Sequence, residues 1–276
     1  MKTPVIRISM LAMSIFLLAQ SCTKEKTGNN GNNTDNEVGL ATVKATSDVY
    51  FDDISSEILI INASKGYTRE ARTQEICATV SATPLAINEF PKTVTVDFGS
   101  GCTAANGFVR KGKVIYVISK KFVNAGAQIV MTFENYRVND HKLEGVYTIT
   151  NNGSIAGLNI TTKLVGGKIT YPDGAWYTKE SEVTWVQSAG VSTPLNFTDD
   201  EYGLTGSGTI TSSTGNTLTA ESNGILLRKF TCYNFVSGKL NLNFNNVPGV
   251  LDYGSGTCDK SATLTVGNKE YTVTLP

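Results

Sequence analysis

Beyond Cys77, apolar and polar residues alternate with a period of two. Val94, Val96 and Phe98 alternate with Thr93, Thr95 and Asp97, and Leu240, Leu242 and Phe244 alternate with Asn241, Asn243 and Asn245. That pattern belongs to strands with one buried face. Val-Ile-Tyr-Val-Ile within Lys113 to Ser119 is apolar on both faces and predicts a central strand. Further strands are expected over 129–133, 143–150, 155–164, 176–186, 202–211, 217–222, 263–266 and 270–275. The punctuation between them includes Asn139-Asp140, Asn151-Asn152-Gly153, Gly166-Gly167, Pro172-Asp173-Gly174 and Gly267-Asn268. A helical period occurs only over Ser47 to Ala63, where Tyr50, Ile54 and Ile58 fall at i, i+4 and i+8. Ser47 is placed to cap that helix, and Asp48, Asp52 and Asp53 would lie in its early turns, where the dipole favours negative charge. The expectation is a mainly β protein of antiparallel sheets, sandwich-like or elongated, with one short N-terminal helix.

One unit occurs twice. Cys77 opens a stretch that ends Val96-Asp97-Phe98-Gly99-Ser100-Gly101-Cys102, and Cys232 opens one that ends Leu251-Asp252-Tyr253-Gly254-Ser255-Gly256-Thr257-Cys258. Four cysteines allow three pairings, and the repeat favours Cys77 with Cys102 and Cys232 with Cys258. A closed loop of that size contributes roughly 3–4 kcal/mol in the chain-entropy picture. The same cysteines lack the CxxC-like spacing or nearby histidines of a zinc site. The repeat suggests two β lobes, 39–154 and 155–276, or one continuous domain.

The N-terminus changes the picture. Lys2 and Arg7 precede an apolar run from Ile8 to Ala19, which is too short to span a bilayer as a helix. It ends Ala19-Gln20-Ser21-Cys22, which resembles the lipobox of bacterial lipoproteins, with Ala19 at the usual leucine position. Residues 1–21 then read as a lipoprotein signal peptide, Cys22 as the lipidated residue, and 22–38 as a polar, Asn-rich flexible tether. Such a lipid would hold the chain to a membrane without spanning it. Removing Lys2 and Arg7 leaves 22 basic against 24 acidic residues. That balance carries no footprint for nucleic acid.

These features, with Phe51-Asp52-Asp53, Phe90-Pro91 and the tail from Ser237-Gly238 through Asp252-Tyr253-Gly254-Ser255-Gly256-Thr257-Cys258-Asp259, resemble a set of uncharacterised cell-envelope lipoproteins common in Bacteroidota. The resemblance implies export, lipidation and a β fold; the expected location is the outer membrane, on its periplasmic face or the cell surface. It implies no activity and carries over no functional residues.

Catalytic chemistry is sparse in the sequence. His141 is the single histidine, and it sits in an expected turn beside Asp140, so HExxH chemistry is excluded. Ala220-Glu221-Ser222-Asn223-Gly224 lacks the first glycine of a nucleophile elbow. Gly203-Leu204-Thr205-Gly206-Ser207-Gly208 has no phosphate-binding lysine and reads as a bulge or turn in β context. Asp199-Asp200-Glu201 could supply a carboxylate pair for glycoside hydrolysis or oxygen ligands for a cation, against a plain solvated turn. Asp97 and Asp252 are expected to bond turn amides. Trp176, Tyr177 and Trp185 form the candidate platform for a sugar ring, against an ordinary place in the core. The reading that follows is a non-catalytic, lipid-anchored envelope protein. Its partners would be the membrane and a glycan or another envelope protein, with no cofactor. The alternative is a glycan-binding protein or glycoside hydrolase.

Overall fold

The computed structural model describes residues 32–63, 77–86, 88–104, 106–153, 157–193 and 197–276. Fourteen antiparallel strands make one sheet: β1 (Thr79–Thr83), β2 (Lys92–Asp97), β3 (Cys102–Thr103), β4 (Val109–Ile118), β5 (Gln128–Val138), β6 (His141–Asn151), β7 (Asn159–Thr170), β8 (Trp176–Ala189), β9 (Glu201–Ser212), β10 (Thr217–Lys229), β11 (Ser237–Phe244), β12 (Val247–Ser255), β13 (Ser261–Val266) and β14 (Lys269–Thr274). The strands lie in chain order from β1 to β14, except that β3 extends the pairing of β4 beyond the end of β2. β6 pairs with β7 from Lys142↔Thr170 to Asn151↔Ile160, so the sheet runs unbroken across the boundary expected between two lobes.

The sheet closes around one core shared by strands from both of its ends, and register shifts bend the strands. They fall between Lys111 and Lys113, Thr132 and Arg137, Glu144 and Val146, and Leu164 and Gly167, on four successive strands. Gly112 shows why the sequence bends there. Its φ is +78°, and a Cβ on it would lie 2.3 Å from the Asn135 carbonyl oxygen on the neighbouring strand. Only glycine permits that approach. Gly166-Gly167, expected as a turn, is instead part of this bulge inside β7. The fold brings the β3–β4 connection against the β10–β11 connection, where Phe108 and Tyr233 stand 5.5 Å apart.

Among the described residues there is one α-helix, α1 (Asn32–Ala63), which packs against strands from both ends of the sheet. It starts at Asn32 rather than Ser47, so residues 32–38, expected in the tether, are helical. Ser47 does not cap it; its hydroxyl donates to the Lys44 carbonyl one turn earlier. Leu40, Ala41, Val43, Ala45, Val49, Tyr50 and Phe51 are all buried. They point around most of the helix circumference, because sheet covers it on both sides. These residues join strand residues of both halves, from Val94 and Tyr116 to Leu264 and Val273, in one core.

Both disulfides take the pairing that the repeat favours, with Cα–Cα distances of 5.9 Å for Cys77–Cys102 and 5.8 Å for Cys232–Cys258. The repeat extends to side-chain bonds. Asp97 accepts from the Gly99 amide and Asp252 from the Gly254 amide, each at 2.8 Å. Each also faces a lysine, Lys113 at 3.3 Å and Lys239 at 2.8 Å. Among the described residues, no helix is long and apolar enough to cross a membrane.

Candidate functional site

The helix is fixed by three carboxylates. Residues 48 and 52 are one turn apart and share a face, while 53 lies about 100° further round. Asp48 faces β8, and Asp52 faces both β10 and β6. Asp48 pairs with Lys179 of β8, and with Lys44 at 2.5 Å; Asp52 pairs with Arg228 of β10 at 3.4 Å and accepts from the Tyr147 hydroxyl at 2.8 Å. Asp53 faces the first half, where Arg110 of β4 donates at 2.6 and 3.0 Å and Asn106 at 2.8 Å. Burial pushes the Asp52 and Asp53 carboxyls up, and Arg228 and Arg110 oppose that rise. Burial would also raise Asp48, but Lys179 and Lys44 outweigh it and hold its carboxyl below the usual range. A cavity of about 50 Å³ beside Asp48, Asp52 and Lys179 has room for water only.

The pinned helix places Tyr50 under one end of the molecule, in a row of six rings. Tyr233 stands 5.5 Å from Phe108, Phe108 5.6 Å from Tyr50, and Tyr50 5.2 Å from His141; His141 is 4.5 Å from Tyr171, and Tyr171 5.6 Å from Tyr177. All five spacings fall in the range of direct aromatic contact. Tyr50 is buried, Tyr233 is exposed, and Phe108, His141, Tyr171 and Tyr177 are half-buried. The row therefore has a solvent edge. His141 is oriented by its Nδ1, which donates to the Asn139 carbonyl at 2.9 Å. Burial pushes the Tyr171 hydroxyl up to about 12, partly offset by a hydrogen bond with Thr46. Asn139 and Asp140, both with positive φ, form the tight hairpin turn beside the row. Half-exposed rings bordered by amide and hydroxyl groups can stack on the C–H face of a sugar while bonding its hydroxyls.

The expected platform is not assembled. Trp185 is 7 % exposed, on the inner face of β8, with its indole N–H donating to Thr162 at 3.1 Å and the Arg228 guanidinium 5.2 Å from its ring. Trp176 is 37 % exposed on the opposite face, with the Lys168 ammonium 4.7 Å over its ring. Tyr177 alone of the three joins the aromatic row. The Asp199-Asp200-Glu201 cluster also separates. Asp199 accepts from Thr193, buried Asp200 from Gln187 and Tyr202, and Glu201 faces Lys229. No shared carboxylate site results. The Ser222 hydroxyl accepts from the Gly206 amide within the sheet. Cys22 lies outside the described residues.

Local patterns hid Tyr50, Phe108, Tyr171 and Tyr233, which come from distant stretches. One signal was available: extending the β6–β7 register by one residue from Lys142↔Thr170 sets His141 opposite Tyr171. A second concave region lies on the outer face of β7 to β11, with a volume of about 620 Å³ and Glu180, Glu182, Glu221 and Lys163 in its lining. Glu182 is tied to Lys163 at 2.8 Å and Glu180 to the Gly166 amide at 2.8 Å. Comparison with protein-family models, with curated proteins and with solved structures finds no match.

Proposed function

We propose that this chain is a lipid-anchored protein of the cell envelope, held at the outer membrane through Cys22, with a binding or structural rather than catalytic role. The observation that carries the reading is the sequence Ala19-Gln20-Ser21-Cys22 after a short apolar run, ahead of a body stapled by two disulfides. Disulfides fit an oxidising, non-cytoplasmic compartment. The resemblance to Bacteroidota envelope lipoproteins points the same way. The test is metabolic labelling of the full chain with an alkyne fatty acid in a diderm bacterial host. Wild type is expected to carry the label and sediment with membranes, and Cys22→Ser to lose both. An unlabelled, soluble wild type would overturn the proposal.

A second reading, glycan binding, is favoured by the aromatic row with its polar border. A glycan-array screen tests it, with Tyr171→Ala and Tyr233→Ala beside the wild type. Binding by wild type that weakens in both variants supports the row as the platform. Loss only in Trp176→Ala would move the platform to the opposite face of β8.

A further inference from the structure

We propose that the loop tips at one end of the sheet, centred on Leu85 and Val123, insert into the surface of an anionic lipid bilayer. The inference rests on the envelope reading above, and it names the second point of contact with the membrane.

Leu85 and Val123 are 84 % and 83 % exposed, the highest values for large apolar side chains among the described residues. Their loops lie at the same end of the sheet. Thr83↔Thr93 and Lys92↔Ile118 put the β1–β2 and β4–β5 connections at the same end of three consecutive strands, about 4.8 Å apart from strand to strand. Single exposed aliphatics are common, but two on loop tips at one end of the sheet form a feature.

Both tips are braced. Lys92 is fully buried, and its ammonium donates to the Pro84 carbonyl and, at 2.7 Å, to the Ala86 carbonyl. Burying an ammonium is costly, and these two of its bonds fix the backbone on either side of Leu85. On the other tip, Asn124 and Ala127 amides close the turn at 3.0 Å each, and the buried Asn151 side chain donates to the Phe122 carbonyl at 2.6 Å. The loops thus hold aliphatic groups outward instead of folding them in.

The surrounding chemistry fits a bilayer interface. Lys120 and Lys121, both exposed, precede Val123, and no acidic residue occurs in 119–127. Glu89 is the one acidic residue in 84–91. Half-buried Phe90 and Phe122 lie behind the tips. Aliphatic tips with lysines that can reach headgroups are the pattern of interfacial insertion, and anionic lipid attracts such lysines. A specific protein partner would need roughly 800 Å² on this side, far more than two projecting side chains supply. Only nine residues separate Cys22 from the start of α1. Even fully extended they reach about 30 Å, so a lipid on Cys22 would keep the body close to the bilayer.

The test uses the mature chain with Cys22→Ser, so that no lipid contributes, floated with vesicles of phosphatidylethanolamine containing phosphatidylglycerol. Wild-type loops are expected to give measurable flotation that falls in high salt. Leu85→Asp and Val123→Asp should each lower the partition about tenfold or more, with unchanged thermal melting. Lys120→Glu with Lys121→Glu should weaken binding to these vesicles but not to phosphatidylcholine vesicles. Absence of flotation, or flotation indifferent to Leu85 and Val123, overturns the inference while leaving the labelling result for Cys22 untouched. Loop-dependent flotation of a chain whose Cys22 is never labelled overturns the anchor and keeps the loops.

Discussion

Asp53 and Arg110 are 2 % and 0 % exposed at their side chains, so neither can turn to water if the other is lost. Asp53→Ala should therefore cost about 3–5 kcal/mol, most of it from the buried guanidinium losing its carboxylate. Asp53→Leu combined with Arg110→Met should recover much of that loss, measured by urea unfolding, because a desolvated pair returns little more than its own desolvation. If the double variant is as unstable as the single one, the pair contributes net stability beyond packing. The three carboxylates also differ in sign with pH. Asp52 and Asp53 are raised above the ordinary value of 3.8, so their contribution is most favourable below that value and declines as pH rises through their folded values. Asp48 is lowered, so its contribution is present above 3.8 and lost as pH falls through its folded value. Asp52→Asn mimics the protonated form. Its melting temperature relative to wild type should rise from pH 4 to pH 7; a constant difference would mean that Asp52 does not titrate as its burial implies. The two tryptophans offer a check in the same spirit. Trp176→Phe should leave a blue-shifted emission protected from acrylamide, and Trp185→Phe a red-shifted, quenchable one, since only Trp185 is enclosed.

The strands were readable from period two because most of them bury one face, as in Leu240, Leu242 and Phe244. β1 was not, since Thr-Val-Ser-Ala-Thr at the end of the sheet buries little. The helix was half readable. A helical pattern signals itself by a polar face, and residues 36–53 have almost none left in water because the sheet wraps them. For the same reason Asp48, Asp52 and Asp53 read as dipole partners at a helix start, whereas they are buried charges awaiting cations more than fifty residues away. The aromatic row was hidden because its rings come from distant stretches, and the bulges that bend the strands leave little trace in the sequence: Gly166-Gly167 reads as a turn, and Gly112 interrupts no pattern. Gly112→Ala tests that account. Its methyl would meet backbone of β5 at 2.3 Å, which no side-chain rotation relieves, and φ at +78° adds strain. The cost should lie at the upper end of about 0.5–3 kcal/mol. A loss no larger than that of Gly99→Ala, where nothing stands within 4 Å, would show that the close approach at the bend is not what demands glycine.

At the scale of the molecule, the strands follow chain order across the sheet, but the most N-terminal described element lies in the core they enclose. Adjacent strands assemble as successive hairpins with short connections, but α1 must meet partners as far away as Arg228, 176 residues on. The hairpins have local partners, whereas the interior has only the helix. If the envelope reading holds, the segment after Cys22 joins directly to the element that both halves of the sheet grip, so force on the anchor would be borne by the three ion pairs and the core around them. This makes the helix start a test of the whole architecture. A chain beginning at Ser47 retains every strand and all three aspartates, but loses Leu40, Ala41, Val43 and Ala45, each at most 5 % exposed. Large-to-small losses at one such leucine run to about 2–5 kcal/mol, against a total stability of about 5–15 kcal/mol. Compared with a chain beginning at Asn32, it should lose its cooperative melting transition and bind a hydrophobic dye while keeping β circular dichroism. An unchanged melting temperature would mean that the sheet closes without the first half of the helix, and that α1 is a lid on the core instead of its centre.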